Sequence, residues 1–87
     1  MKNQEVLNDF GKRIRLLRLQ QKLSQEELSQ KTGFHRTYIG MIERGERNIS
    51  LCNITIFAKV FKMSISELLK LEKVNSSHSF SSYNLKI

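Results

Sequence analysis

Eighty-seven residues, 39% of them apolar and 26% charged, suit one small soluble domain, whose core hides only about 60% of the unfolded chain's surface. No apolar run approaches the roughly 18 residues that span a bilayer, and the opening MKNQEVLNDFGKRIR lacks the apolar segment of a secretion signal. A single cysteine, Cys52, excludes an intrachain disulfide and a cysteine-built metal site and points to a reducing cytoplasm, while a net charge of +7 and a pI near 9.9 are the footprint of a polyanion binder.

The chain contains no proline, and its apolar residues follow a helical period throughout. Leu7, Phe10, Ile14 and Leu17 fall on one face, which predicts a first helix over about 5–22. Lys12, Arg13, Arg15, Arg18 and Lys22 lie along it with no acid between them. A solvated face is the commoner meaning of such a run, and a nucleic-acid or anionic-membrane surface the sharper one.

Ser24 and Glu27 form a capping box, each side chain satisfying the other residue's backbone N–H, so a second helix is predicted from Gln25 to about Lys31. Gly33 suits the left-handed residue that closes a helix. A third helix follows over 36–44, closed by Gly45 in the same way. Ser50 opens a fourth through LCNITIFAKVF, where Leu51, Ile54, Phe57, Ala58 and Phe61 form the inner face. Ser64 with Glu67 is a second capping box, opening a fifth helix through ISELLKLEK. The expected architecture is all-α, with five short helices in one domain over 1–74. Residues 75–87 are Ser-rich and aperiodic and read as a tail, free or packed on a partner protomer; Tyr83, Leu85 and Ile87 alternate within it as on a short strand.

The chemistry concentrates between Leu23 and Gly45. A capped helix, a Gly-containing turn and a second short helix make a helix-turn-helix, whose second helix enters the DNA major groove by its first residues. On a 3.6-residue period Ile39, Ile42 and Glu43 face inward. Arg36, Thr37, Gly40 and Arg44 face outward. Arg36 can donate two hydrogen bonds to guanine O6 and N7, and Thr37 can offer a hydroxyl to a base or phosphate and a methyl to thymine. Tyr38 can donate to a phosphate while its ring covers the duplex edge. Gln25, beside the N-terminus of the second helix, and Arg47, Asn48 and Ser50 after the third suit phosphate contacts. Gly40 in a helix interior costs about 0.5–1 kcal/mol, so it needs a reason: close approach to another surface, or crowding by a neighbouring helix.

The segment IRLLRLQQKLSQEELSQKTGFHRTYIGMIERGERNISL resembles the helix-turn-helix family typified by the phage repressors and Cro. HRTYIGMIERGERNIS is similar in particular to the controller proteins of restriction–modification systems. The resemblance covers roughly 10–71. It implies that Gln25 holds a phosphate, that Arg36 and Thr37 read bases, and that Tyr38 lies against backbone or bases; Arg44, on the outward face, is read here among the backbone contacts. It also implies a structural ion pair between Arg18 and Glu43, joining the first and third helices. Lys62 departs from it, because family members usually have glycine there, so that turn is strained or differently shaped. The tail lies outside the pattern.

The plainer readings of the remaining chemistry prevail. His35 is a cap or surface residue, and neither it nor His78 has a partner at metal-ligand spacing. Cys52 is a small packing residue, and Met41 and Met63 fill the core or its edge. No phosphate loop or carboxylate pair is present, so neither an enzyme nor a cofactor or small-molecule ligand is indicated. Leu16, Leu19, Ile65, Leu69 and Leu71 exceed the needs of so small a core, which points to self-association. Family members commonly dimerise through helices 4 and 5, which implies a seam at Ile65 and Leu69. The expectation is a cytoplasmic, homodimeric transcriptional regulator on a near-palindromic operator, with no membrane association. A DNA-binding antitoxin is the alternative.

Overall fold

A computed structural model describes residues 3–71. Five helices follow in order, α1 (Asn3–Gln20), α2 (Gln25–Thr32), α3 (Arg36–Glu43), α4 (Leu51–Val60) and α5 (Ile65–Leu68), with no strand among the described residues. None of these helices is long and apolar enough to cross a membrane. The tail from residue 75, with His78, Tyr83, Leu85 and Ile87, lies outside the described residues, as does the end expected for the fifth helix.

The helix starts obey their caps. Ser24 and Ser64 accept from the N–H of Glu27 and Glu67, and each glutamate reaches back in a complete capping box. Ser50 accepts from the N–H of Asn53. His35 caps α3, its Nδ1 accepting from the N–H of Thr37 at 3.0 Å, so an imidazole takes the place of the usual short hydroxyl or carboxylate.

Gly33 and Gly45 close α2 and α3 left-handed as expected, while the ends of α1 and α5 differ from expectation. α1 stops at Gln20, before the expected Lys22, because Lys22 turns left-handed (φ 58°). The N–H of Leu23 then reaches the carbonyl of Arg18 at 3.0 Å, closing a Schellman turn. Lys62 (φ 58°) closes α4 in the same way, with Met63 N–H donating to Ala58 O at 3.0 Å. Gly45 (φ 75°) closes α3, with Glu46 N–H donating to Met41 O at 2.9 Å. Leu23 and Met63 pack against the core, so a hydrophobic anchor holds each left-handed lysine in place. α5 is a single turn ending at Leu68, shorter than the sequence suggests. There Arg13 takes over the closing carbonyls, donating to Leu68 O at 3.1 Å and Glu67 O at 2.7 Å.

The core joins Phe10, Ile14 and Leu17 of α1 to Leu28, Ile39, Ile42, Phe57, Ala58, Phe61 and Leu68. Phe57 is fully buried at its centre, with Phe34 5.3 Å and Phe10 and Phe61 each 6.4 Å away between ring centroids. Burying a side chain of this kind contributes about 1.5–3 kcal/mol. Gly11 sets the approach of α1 to α3, since a Cβ there would stand 2.6 Å from the Glu43 carbonyl oxygen.

Three apolar assignments change. Leu51, expected on the inner face of α4, is 68% exposed. Cys52 is exposed and does not pack. Leu71, counted as surplus, is half-buried against the core. Ser50 caps α4 before its first turn reaches the core, so 51 and 52 project past the edge that Ile54 and Phe57 fill.

Candidate nucleic-acid interface

The turn between α2 and α3 is built by local hydrogen bonds. Thr32 Oγ1 donates to Leu28 O at 2.9 Å and accepts from Phe34 N–H at 3.1 Å. Ser29 Oγ donates to Phe34 O. Gly33 is left-handed (φ 84°), its N–H donating to Ser29 O. These bonds aim Phe34 at Phe57 and point α3 outward by its first turn.

Glu43 locks α3 from beneath. Its carboxylate accepts Arg18 Nε at 2.6 Å, Arg18 Nη2 at 3.0 Å and Gln25 Nε2 at 3.1 Å. Arg18 gives Nη1 to Leu23 O at 2.9 Å. One buried cluster therefore ties α1, α2 and α3 together, with Ile39 and Ile42 beside it. The ordinarily very high Arg18 pKa is pushed higher still by the hydrogen bond to Glu43, partly offset by burial.

Above that lock, Arg36 and Thr37 are exposed. The Arg36 guanidinium is 64% exposed, and its Nε lies 3.7 Å from Glu26 Oε1. Tyr38 is half-buried, its ring 5.1 Å edge-on from Phe34, and its hydroxyl accepts from Asn53 Nδ2 at 3.1 Å. Accepting that bond leaves the phenolic proton able to donate outward. The Arg47 guanidinium carbon stands 5.2 Å over the Tyr38 ring, within cation–π range. Asn48 is exposed, and Ser50 accepts at the cap of α4 while keeping its hydroxyl proton. Arg44 gives Nε and Nη2 to Glu46 at 2.9 and 3.1 Å.

Gly40, read as outward, is buried. A Cβ there would meet Arg44 Nη1 at 3.1 Å and Gln25 Oε1 at 3.7 Å. Two side chains of the site thus roof the glycine. The basic run on α1 is split as well: Arg18 is buried, Arg13 is spent on the end of α5, and Lys12, Arg15 and Lys22 stay exposed.

The first turn of α3, the loop to α4 and the first turn of α4 are therefore joined through the Tyr38 contacts to Arg47 and Asn53. Sequence reasoning missed Asn53, Glu46 and the α1 residues behind the loop. Gln4 Nε2 donates to Gly45 O at 2.8 Å, and a Cβ on Gly45 would stand 3.2 Å from Asn8 Cα. Only Glu46, an acid inside the basic stretch RGERN, carried a visible sign. Among the described residues no group of His, Cys, Asp or Glu is arranged to hold a metal.

The model of the helix-turn-helix family matches residues 14–68. Control protein C.SmaI of Serratia marcescens is 45% identical over 65 residues, which are 75% of this chain and 77% of that one. The crystal structure of the restriction-modification controller protein C.AhdI from Aeromonas hydrophila superposes with a TM-score of 0.68 at 45% identity, over 71% of this chain and 94% of that chain. The controller protein C.Esp1396I, solved as a tetramer in complex with its natural 35 base-pair operator, superposes with a TM-score of 0.66 at 31% identity, over 74% of this chain and 88% of that one.

Proposed function

This chain belongs to the helix-turn-helix family and, within it, to the control proteins of restriction–modification systems, and we propose that it reads its operator through the first turn of α3. It is a DNA-binding regulator of transcription. The carrying observation is the contrast within α3: Ile39, Ile42 and Glu43 are locked to α1 and α2, while Arg36 and Thr37 stand in solvent two turns away or less.

In this reading Arg36 takes a guanine edge, Thr37 and Tyr38 read beside it, and Gln25, Arg44, Arg47, Asn48 and Ser50 take phosphates. Gln25 is held by Glu43 through its amide nitrogen, which fixes its position at the α2 N-terminus, where free backbone N–H groups favour an anion. Residues 1–74 form the DNA-binding unit. The work is binding alone, without catalysis or cofactor, in the cytoplasm.

C.Esp1396I binds its operator as a tetramer; for this chain we propose a two-fold dimer as the reading unit. Ile65 and Leu69 keep 36% and 38% of their surface in solvent, and pairing through them removes that surface from water. The two copies of α3 then lie about 34 Å apart, one turn of DNA. Selection of bound duplexes from a random pool, followed by footprinting, tests this: a near-palindrome with half-sites one turn apart supports it, and indifference to sequence refutes it.

A further inference from the structure

Arg44 and Glu46 are two residues apart, a spacing that does not bring side chains together on a helix. They meet here because Gly45 turns left-handed and the N–H of Glu46 folds back to Met41 O at 2.9 Å. Gly45 is itself held from α1 by Gln4. The Arg44 guanidinium then lies over Gly40 by its Nη1, with Gln25 on the far side of that seat, and its Nε–Nη2 edge is taken by the two Glu46 oxygens at 2.9 and 3.1 Å. A carboxylate and a phosphate present the same pair of oxygens to the same fork. They cannot occupy it together.

We propose that Glu46 is a specificity-determining residue: it holds the Arg44 fork closed against random DNA and yields it only where a correctly registered operator brings a phosphate onto the seat above Gly40. The proposal rests on the DNA-binding reading of the same surface. Both partners are about half exposed, at 58% and 48% of their side chains, so the pair is open to exchange. The Glu46 carboxyl is held below its usual range by the Arg44 hydrogen bond, so it remains an anion wherever the protein is folded near neutrality. On random duplex no fixed register exists, Arg44 stays with Glu46, and the protein forgoes one phosphate contact. On the operator the contacts of Arg36 and Thr37 fix the register, and the exchange follows.

The test uses the full chain, its Glu46→Gln, Arg44→Ala and doubly substituted variants, and two probes: a random-sequence duplex and the duplex recovered by selection. Removing the carboxylate should tighten binding to the random duplex roughly 3–10-fold and steepen the dependence of log K on log salt by about 0.9, one added phosphate contact. The gain on the selected duplex should be smaller, so discrimination falls. The effect should vanish when Arg44 is already alanine, as a double-mutant cycle requires of a direct pair. Unchanged affinity and slope on random duplex, with wild-type binding intact, overturns the proposal alone. So does an equal gain on both duplexes, or a gain that survives Arg44→Ala, since either makes Glu46 a plain repulsive charge. Wild-type protein that binds neither duplex overturns the DNA reading with it.

Discussion

Glu43 and Arg18, 25 residues apart in the chain, share a two-pronged ion pair at 2.6 and 3.0 Å with only 4% and 10% of their side chains exposed. A pair this dry gains less than its geometry suggests, because both charges have left water. Its worth lies in the position it enforces, since the same carboxylate also holds Gln25. Glu43→Gln should cost about 3–5 kcal/mol by leaving Arg18 buried without its counter-charge. Arg18→Met with Glu43→Leu should recover most of that stability in urea unfolding while weakening DNA binding, because Gln25 loses its hold. Recovery of both together would mean that the pair does not position the site.

Gly11 and Gly40 look alike in the sequence and should behave oppositely. Alanine at 11 would push into the backbone carbonyls of α3, with 2.6 Å to Glu43 O, and should cost about 1–3 kcal/mol. Alanine at 40 is tight only against the exposed end of the Arg44 side chain at 3.1 Å, with Gln25 at ordinary contact at 3.7 Å, so the side chain can give and the helix should gain about 0.5–1 kcal/mol. Thermal unfolding of the two variants decides the matter. Loss of stability in both would place Gly40 in a rigid crossing.

Lys62 should be a cost the fold tolerates. A β-carbon at φ 58° is strained, and the Schellman turn it closes asks only for a left-handed residue. Lys62→Gly should stabilise by about 0.5–1 kcal/mol, the relief of strain less the added freedom of the unfolded chain. A lower midpoint of unfolding would show that the lysine side chain earns its place by another contact.

These cases mark what the sequence makes legible. Helix starts were readable, because Ser24, Ser50 and Ser64 carry their caps in side-chain oxygens that a sequence displays. Helix ends were less so: Gly33 and Gly45 announced theirs, and Lys62 stood where the family has glycine, but a left-handed lysine at 22 differs from a helical one only by the carbonyls its neighbours meet. The inward turn of Glu43 followed from the helical period of α3. The burial of Gly40 did not, because its cover comes from Gln25 on another helix and from Arg44 folded back by Glu46. The basic run on α1 misled in the same way. Charge is visible in the sequence, but whether Arg13 or Arg18 spends its donors inside the fold depends on partners 55 and 25 residues away.

The Glu27 carboxyl is held below its ordinary range by the backbone and side-chain hydrogen bonds of Ser24. A depressed carboxyl stabilises the fold above its unfolded pKa, and that contribution fades as pH falls through the folded value. Acidification below the ordinary carboxylate range should therefore lower the melting temperature. Glu27→Gln keeps the acceptor on the Ser24 N–H without titrating, so its melting temperature should fall less steeply with acid. Parallel acid curves for the two proteins would remove the box from the acid response.

In the proposed reading Arg36 and Arg47 divide base reading from phosphate holding. Arg36 projects from the first turn of α3, and its alanine variant should lose about 1–3 kcal/mol on the selected duplex and little on random DNA, with relaxed preference at one base pair. Arg47, in the loop to α4, lies over the Tyr38 ring at 5.2 Å. Arg47→Ala should weaken binding to both duplexes alike and make the salt dependence shallower by about 1. Binding titrations across a salt series distinguish the two patterns. Identical losses for Arg36→Ala on selected and random duplex would strip that residue of its reading role, and a loss at Arg47 confined to the selected duplex would move the reading surface toward the loop.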